Sequence, residues 1–231
     1  NKITSLPFDL SHIINLECSE NKIKSLPALP NIKWLSCVGN EIEELPDMPN
    51  IQAIHCDKNM LKSVTNEASL PHLTELTCSQ NKIEALPDLP KVFKLNCSHN
   101  AISDLPDDMP ELRKLDCSHN KLTKLPQISA IQSIDCSFNQ IRKLQHHEHL
   151  VHLNCANNQL KDLPKNLSHL EHLDCSHNHI DHLPELPKAN YINCSHNQLH
   201  SLPQLSPNCS VVTNFNPLGP TTSIPTNRMV A

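Results

Sequence analysis

The sequence predicts a β-rich solenoid: about eleven short parallel strands on a concave side, and an extended, polyproline-like convex side with few or no helices. Three observations predict it. The stretch Leu173-Asp174-Cys175-Ser176-His177-Asn178 returns, with small changes, every 19 or 20 residues, as Leu16-Glu17-Cys18-Ser19-Glu20-Asn21, Leu95-Asn96-Cys97-Ser98-His99-Asn100 and Leu115-Asp116-Cys117-Ser118-His119-Asn120. A fixed period of that length marks a stacked array. Within the stretch, Leu and Cys alternate with polar residues, the period of a half-buried strand. Between stretches, two prolines stand three apart, as in Leu26-Pro27-Ala28-Leu29-Pro30 and Leu183-Pro184-Glu185-Leu186-Pro187. Proline fixes φ and lacks a donor, so these segments are extended and not helical.

The Asn closing each stretch counts the rungs: Asn21, Asn40, Asn59, Asn81, Asn100, Asn120, Asn139, Asn158, Asn178 and Asn197, with Asn216 continuing the series. Asn1 opens the chain in mid-repeat, because residues 1–7 copy the pattern of 21–27. The array is assigned to 1–218, and 219–231, where the pattern decays, to a degenerate C-terminal tail or cap. An amide side chain carries donors and acceptors, so the rung Asn is expected to satisfy amides left unpaired where the backbone turns inward. No unit buries enough apolar surface to stand alone, so stability is expected from stacking, with the ends weakest.

Eleven cysteines would mark a disulfide scaffold in a secreted chain. Ten of them occupy one slot of the repeat, Cys18, Cys97, Cys117, Cys175 and Cys194 among them. In-register parallel strands hold one column about 4.8 Å apart with side chains pointing the same way, whereas a disulfide needs Cβ atoms ~3.5–4.5 Å apart and turned toward each other. The column is expected to be free thiols packing as small hydrophobes, which suits a reducing cytosol. Two units depart from the pattern. The step from Asn59 to Asn81 is 22 residues, and its added Asn66-Glu67-Ala68-Ser69 makes a helical turn or a convex bulge. Between Asn139 and Asn158 the prolines give way to Gln145-His146-His147-Glu148-His149, a tract of the kind that binds metal adventitiously.

Each unit reads Leu-x-x-Leu-x-Cys-x-x-Asn-x-Leu-x-x-Leu-Pro-x-Leu-Pro, and over nearly the whole chain this resembles the leucine-rich repeat family. The resemblance implies a leucine-rich repeat horseshoe with one strand per unit on its concave side. The short unit is similar to those of bacterial secreted effectors of the YopM and IpaH/SspH types, with Cys here where Val is usual. That similarity implies an array that binds a host protein. The helical N-terminal segments and catalytic domain of such effectors do not appear in these residues, so ligase activity does not carry over.

Composition excludes other classes. Net charge is −5 with basic residues scattered, against the Lys/Arg-rich face of a nucleic-acid binder. No run of 18 apolar residues exists, so no helical membrane span is expected, and no signal peptide is visible. Only 2 glycines are present, so no phosphate-cradling loop is expected. A nucleophile needs an accessible thiolate with a base in reach. Here the cysteines sit in the buried column and most histidines outside it, while Cys209, outside the column, has no activating neighbour in sequence. The expectation is no enzyme and no cofactor.

Strand residues flanking the buried Leu point to the concave face. Six and four residues before each rung Asn, they give the partner-binding candidates Trp34, His55, Asp116, Asp135, His152, His172, Asp174 and Tyr191. A lone Trp in a chain with 3% aromatics is a hot-spot candidate; the competing reading is packing beneath a lost N-terminal cap. His152 stacks over His172 and His177 over His196, with Asp174 beside His172. Three readings of that patch stand: a partner contact, a divalent metal held by His and Asp, or a solvated face duplicated with the repeat. The function readings are likewise three: an effector's protein-binding solenoid, taken as monomeric and delivered by a bacterium into the host cytoplasm; a generic intracellular scaffold; or the recognition arm of a larger enzyme.

Overall fold

The computed structural model describes residues 2–64 and 70–219. It falls into two units, Asn1–Leu112 and Arg113–Ala231. In the first, β1 (Asn15–Glu17), β2 (Trp34–Ser36), β3 (Ala53–His55), β4 (Glu75–Thr77) and β5 (Lys94–Asn96) pair in chain order, all parallel. In the second, β6 (Lys114–Asp116), β7 (Ser133–Asp135), β8 (His152–Asn154), β9 (His172–Asp174), β10 (Tyr191–Asn193) and β11 (Ser210–Val212) do the same. The register advances by one repeat per rung, so equivalent residues stack: Leu35 on Ile54 on Leu76, and Leu153 on Leu173 on Ile192. Each unit is the parallel β-solenoid that the period predicts, and among the described residues there is no helix, hence none to cross a membrane. The insertion at 66–69 and all of the tail after Gly219 lie outside the described residues.

Each strand is three residues long for a local reason. The residue just before the rung Asn takes a left-handed conformation, with φ of 56° at Glu20, 54° at His177 and 55° at His196. For a residue with a Cβ this costs roughly 1–2 kcal/mol, so something must hold it. The Asn does. Asn197 Oδ1 accepts the Ile180 N–H of the preceding turn at 2.9 Å, while its Nδ2 donates to the carbonyls of Cys175 at 2.9 Å and Cys194 at 3.2 Å. Asn40 repeats this on Ile23, Cys18 and Cys37. Gly39 is the one glycine in the left-handed slot (φ 67°), and a Cβ there would come within 2.7 Å of Glu20 Oε1.

The return path is irregular backbone closed by β-turns. Ile32 N–H donates to Leu29 O at 3.3 Å, and Ala189 N–H to Leu186 O at 3.2 Å. The second proline of each pair, Pro30 or Pro187, stands at the turn's second position, where its fixed φ is already correct. The Leu before it, such as Leu29, Leu89 or Leu186, is buried. In the unit that lacks prolines, Leu150 N–H donates to His147 O, so His147 takes that Leu slot. The histidine tract is therefore split: His147 is buried in the core while His146 and His149 are exposed.

All eleven cysteines are buried thiols, none in a disulfide. Burial pushes the Cys18 thiol up to about 11 and Cys194 to about 12, and Cys155 and Cys175 well above the ordinary range. A thiolate does not form there at neutral pH, which makes these sulfurs poor nucleophiles. Titration with an aromatic disulfide reagent at about pH 8 should find the fully buried column thiols inert in the native protein and all of them reactive in guanidinium. Rapid native labelling of Cys155 or Cys175 would contradict the packing role.

Candidate protein-binding surface

The middle residue of each strand faces the core, and its two neighbours face outward. In the second unit, β7 to β10 put Asp135, His152, Asn154, His172, Asp174 and Tyr191 around one open cavity of about 320 Å³. The His152 and His172 rings stack 4.8 Å apart at 14°, and Tyr191 follows in register. Burial, with Asp174 nearby, raises the Tyr191 hydroxyl above its ordinary value. Five predicted residues are thus brought together here. Asp116 pairs with Asp135 in register, one rung outside the cavity.

The aspartates also have a backbone job that the columns alone did not reveal. Asp135 Oδ1 accepts the Ser137 N–H at 3.0 Å and its hydroxyl at 2.6 Å, and Asp174 does the same for Ser176. Asp116 caps Ser118 identically. This is an Asx-turn, a side chain accepting from the backbone two residues on, and it ends the strand. Asn154 and Asn193 fill the same slot and donate their Nδ2 to Asp135 Oδ2 at 2.8 Å and Asp174 Oδ2 at 2.9 Å. The column thus holds two hydrogen-bonded pairs, Asn154 on Asp135 and Asn193 on Asp174.

In the first unit, Trp34 is half-buried and leans over His55, ring centres 5.8 Å apart and tilted 46°. Its cross-strand neighbour is Ala53, small enough to leave the indole room to do so. His55 Nε2 lies 3.9 Å from Glu75 Oε1, which also holds Lys94 Nζ at 2.6 Å. The predicted pair is adjacent, inside a charged row. Thr77 stands where the next six rungs, Asn96 to Asn193, carry Asp or Asn, and Asp57 from the preceding rung replaces the missing cap: it accepts from Ser79 N–H at 2.6 Å and Thr77 Oγ1 at 2.5 Å. Asp57 was missed from sequence. The available signal was an acid in a Ser position one unit before the Thr.

A second row runs along the rim through the left-handed slot. His177 stacks on His196 at 4.0 Å and His196 on Phe215 at 4.2 Å, while His119 stacks on Phe138 at 4.1 Å. Phe138 and Phe215 are 48% and 74% exposed.

A parallel strand per period, a rung Asn bridging two turns and a buried Leu column define a leucine-rich repeat stack, and the chain is a leucine-rich repeat protein. A family model of two tandem leucine-rich repeats matches residues 90–130 and again 148–188. YopM from Yersinia enterocolitica WA-314 is similar in structure, with 30% identity over 94% of this chain and 59% of that one, and a TM-score of 0.62. A leucine-rich repeat protein of Leptospira interrogans aligns at 25% identity over 95% of this chain and 66% of that one, TM-score 0.83. The functional domain of InlJ from Listeria monocytogenes, described as including a cysteine ladder, aligns at 26% identity over 89% and 49%, TM-score 0.77. The chain thus spans less than two thirds of each of these three. No curated protein sequence matches it. The repeats resemble those of YopM-type effectors, and a stack of this kind is a protein-interaction module presenting an extended binding face.

Proposed function

We propose that this module holds a protein partner on the outward strand face of its second unit, and that it is the binding domain of a bacterial effector acting on a host protein in the host cytoplasm. The observation that carries the first part is the cavity where Asp135, His152, His172, Asp174 and Tyr191 converge. Aromatic anchors at the centre of a polar face dominate interface energetics. The effector assignment rests on the likeness to YopM across 94% of the chain. Free thiols throughout suit a reducing compartment. The chain acts as a monomer and by binding, not by catalysis. A general scaffold role is the second reading, supported by the likeness to the Leptospira leucine-rich repeat protein, at a TM-score of 0.83.

A pull-down from eukaryotic lysate separates them. The baits are the wild type, Trp34→Ala with His55→Ala, and His152→Ala with His172→Ala and Tyr191→Ala. Loss of a host protein on the last bait alone is expected, with affinity down by about 2 kcal/mol or more per anchor removed. A host protein held equally by all three baits overturns the assignment to this face; none held by any bait overturns the effector reading.

A further inference from the structure

We infer that the cavity on the second unit selects an arginine side chain of the partner. The inference rests on the partner-binding reading of this face and adds the chemistry of what enters. Asp135 and Asp174 both line the cavity, and among the described residues neither has a Lys or Arg ion-pair partner. Their hydrogen bonds come from neutral groups: serine N–H and hydroxyl on Oδ1, asparagine amide on Oδ2. Each carboxylate oxygen has two acceptor sites, so each Oδ2 keeps one for a ligand. Two negative charges thus stand in a hollow whose remaining polar lining is Asn, Ser, Tyr and His.

The walls narrow the cation to one type. The stacked His152 and His172 and the ring of Tyr191 offer flat π surfaces beside the carboxylates. A guanidinium is planar, stacks on such rings, and can place one N–H on the remaining site of a carboxylate Oδ2 while its plane lies on a ring. An ammonium is a compact, strongly hydrated point charge that uses the charges but not the rings. An acidic side chain meets like charge. The cavity of about 320 Å³ is open to solvent and roomy enough for one long side chain. The column extends the charge pattern, because Asp116 lies one rung beyond Asp135.

The repeat itself supplies a clean variant. Asn already fills the capping slot at Asn154 and Asn193, so Asp135→Asn with Asp174→Asn removes both charges and keeps the turns, at the loss of the amide bonds from Asn154 and Asn193 to the two Oδ2 atoms. Side-chain NMR of His152, His172 and Tyr191 is followed during titration with N-acetyl-arginine amide, its neutral isostere N-acetyl-citrulline amide, and N-acetyl-lysine amide. The arginine probe is expected to shift all three residues saturably at millimolar concentration, roughly tenfold more tightly than citrulline, with lysine between; the Asn variant abolishes the difference. Equal responses to arginine and citrulline, or no response, overturn the inference. In the pull-down, a partner lost by the ring-to-alanine variant but retained by the double Asn variant overturns the arginine assignment and leaves the binding face standing. A partner retained by both overturns the binding face.

Discussion

Replacing Asn178 by Ala lowers the stability of the second unit by roughly 2–4 kcal/mol, the cost of one to two buried groups left without partners at ~1–3 each. The side chain is 6% exposed. Its Oδ1 accepts the Leu160 N–H at 3.0 Å, and its Nδ2 donates to Cys155 O at 3.0 Å and Cys175 O at 3.1 Å. Alanine leaves an orphan N–H between two turns and removes the brace on the left-handed His177. Water cannot reach the gap. Asn21 is the comparison: it holds Ile3 N–H and its own rung's Cys18 O, without the cross-rung carbonyl bond of Asn178, and it is half-exposed, so water can take its place. Asn21→Ala therefore costs within about 1 kcal/mol. Urea midpoints of the two variants test this. Equal shifts would mean that the rung Asn acts through helping the left-handed turn alone, independent of burial.

How much of this was legible in the sequence follows from which interactions are periodic. The strand positions, the buried Leu and Cys columns and the rung Asn recur at one spacing, and the structure repeats them at one spacing. The gathering of Asp135, His152, His172, Asp174 and Tyr191 follows from the same arithmetic, because in-register parallel strands turn a sequence column into a spatial row. What escaped notice was compensation between rungs. Asp57 caps a turn in the next unit, where Thr77 has replaced the capping Asp or Asn, and an acid in a Ser position shows that role only when two successive repeats are read together. The second miss was directional. His147 sits in a polar stretch of five residues that reads as surface, yet the β-turn closed by Leu150 fixes which of them points inward. Turn geometry overrides composition, since the first residue of the turns begun by Leu29, Leu89, His147, Leu167 and Leu186 is the one that packs into the convex side of the core.

His147→Leu stabilises the second unit, by about 1–3 kcal/mol at neutral pH and by more in mild acid. His147 is 4% exposed. Its Nδ1 lies 3.2 Å from Ile128 O, so Nδ1 carries the proton and donates it to that carbonyl. Nε2 is then a bare acceptor, and it is the one buried side-chain polar atom among the described residues without a partner. Leucine fills the same slot at Leu29, Leu89, Leu167 and Leu186, so the shape is already accommodated. Burial, reinforced by neighbouring His146, holds the imidazole below its ordinary 6.5. The folded state therefore keeps His147 neutral at a pH where the unfolded chain has protonated it. Below 6.5 the unfolded state binds the extra proton, and stability falls as pH drops from there toward the lowered folded value; above 6.5 the loss disappears. The other titratable groups are common to both proteins, so the difference between the two midpoint-versus-pH curves isolates this residue. Measured in urea from about pH 7.5 to 5, the gap between His147→Leu and wild type is expected to widen on acidification. Parallel curves would show that His147 takes up its proton as readily in the folded as in the unfolded chain, and would overturn the lowered value.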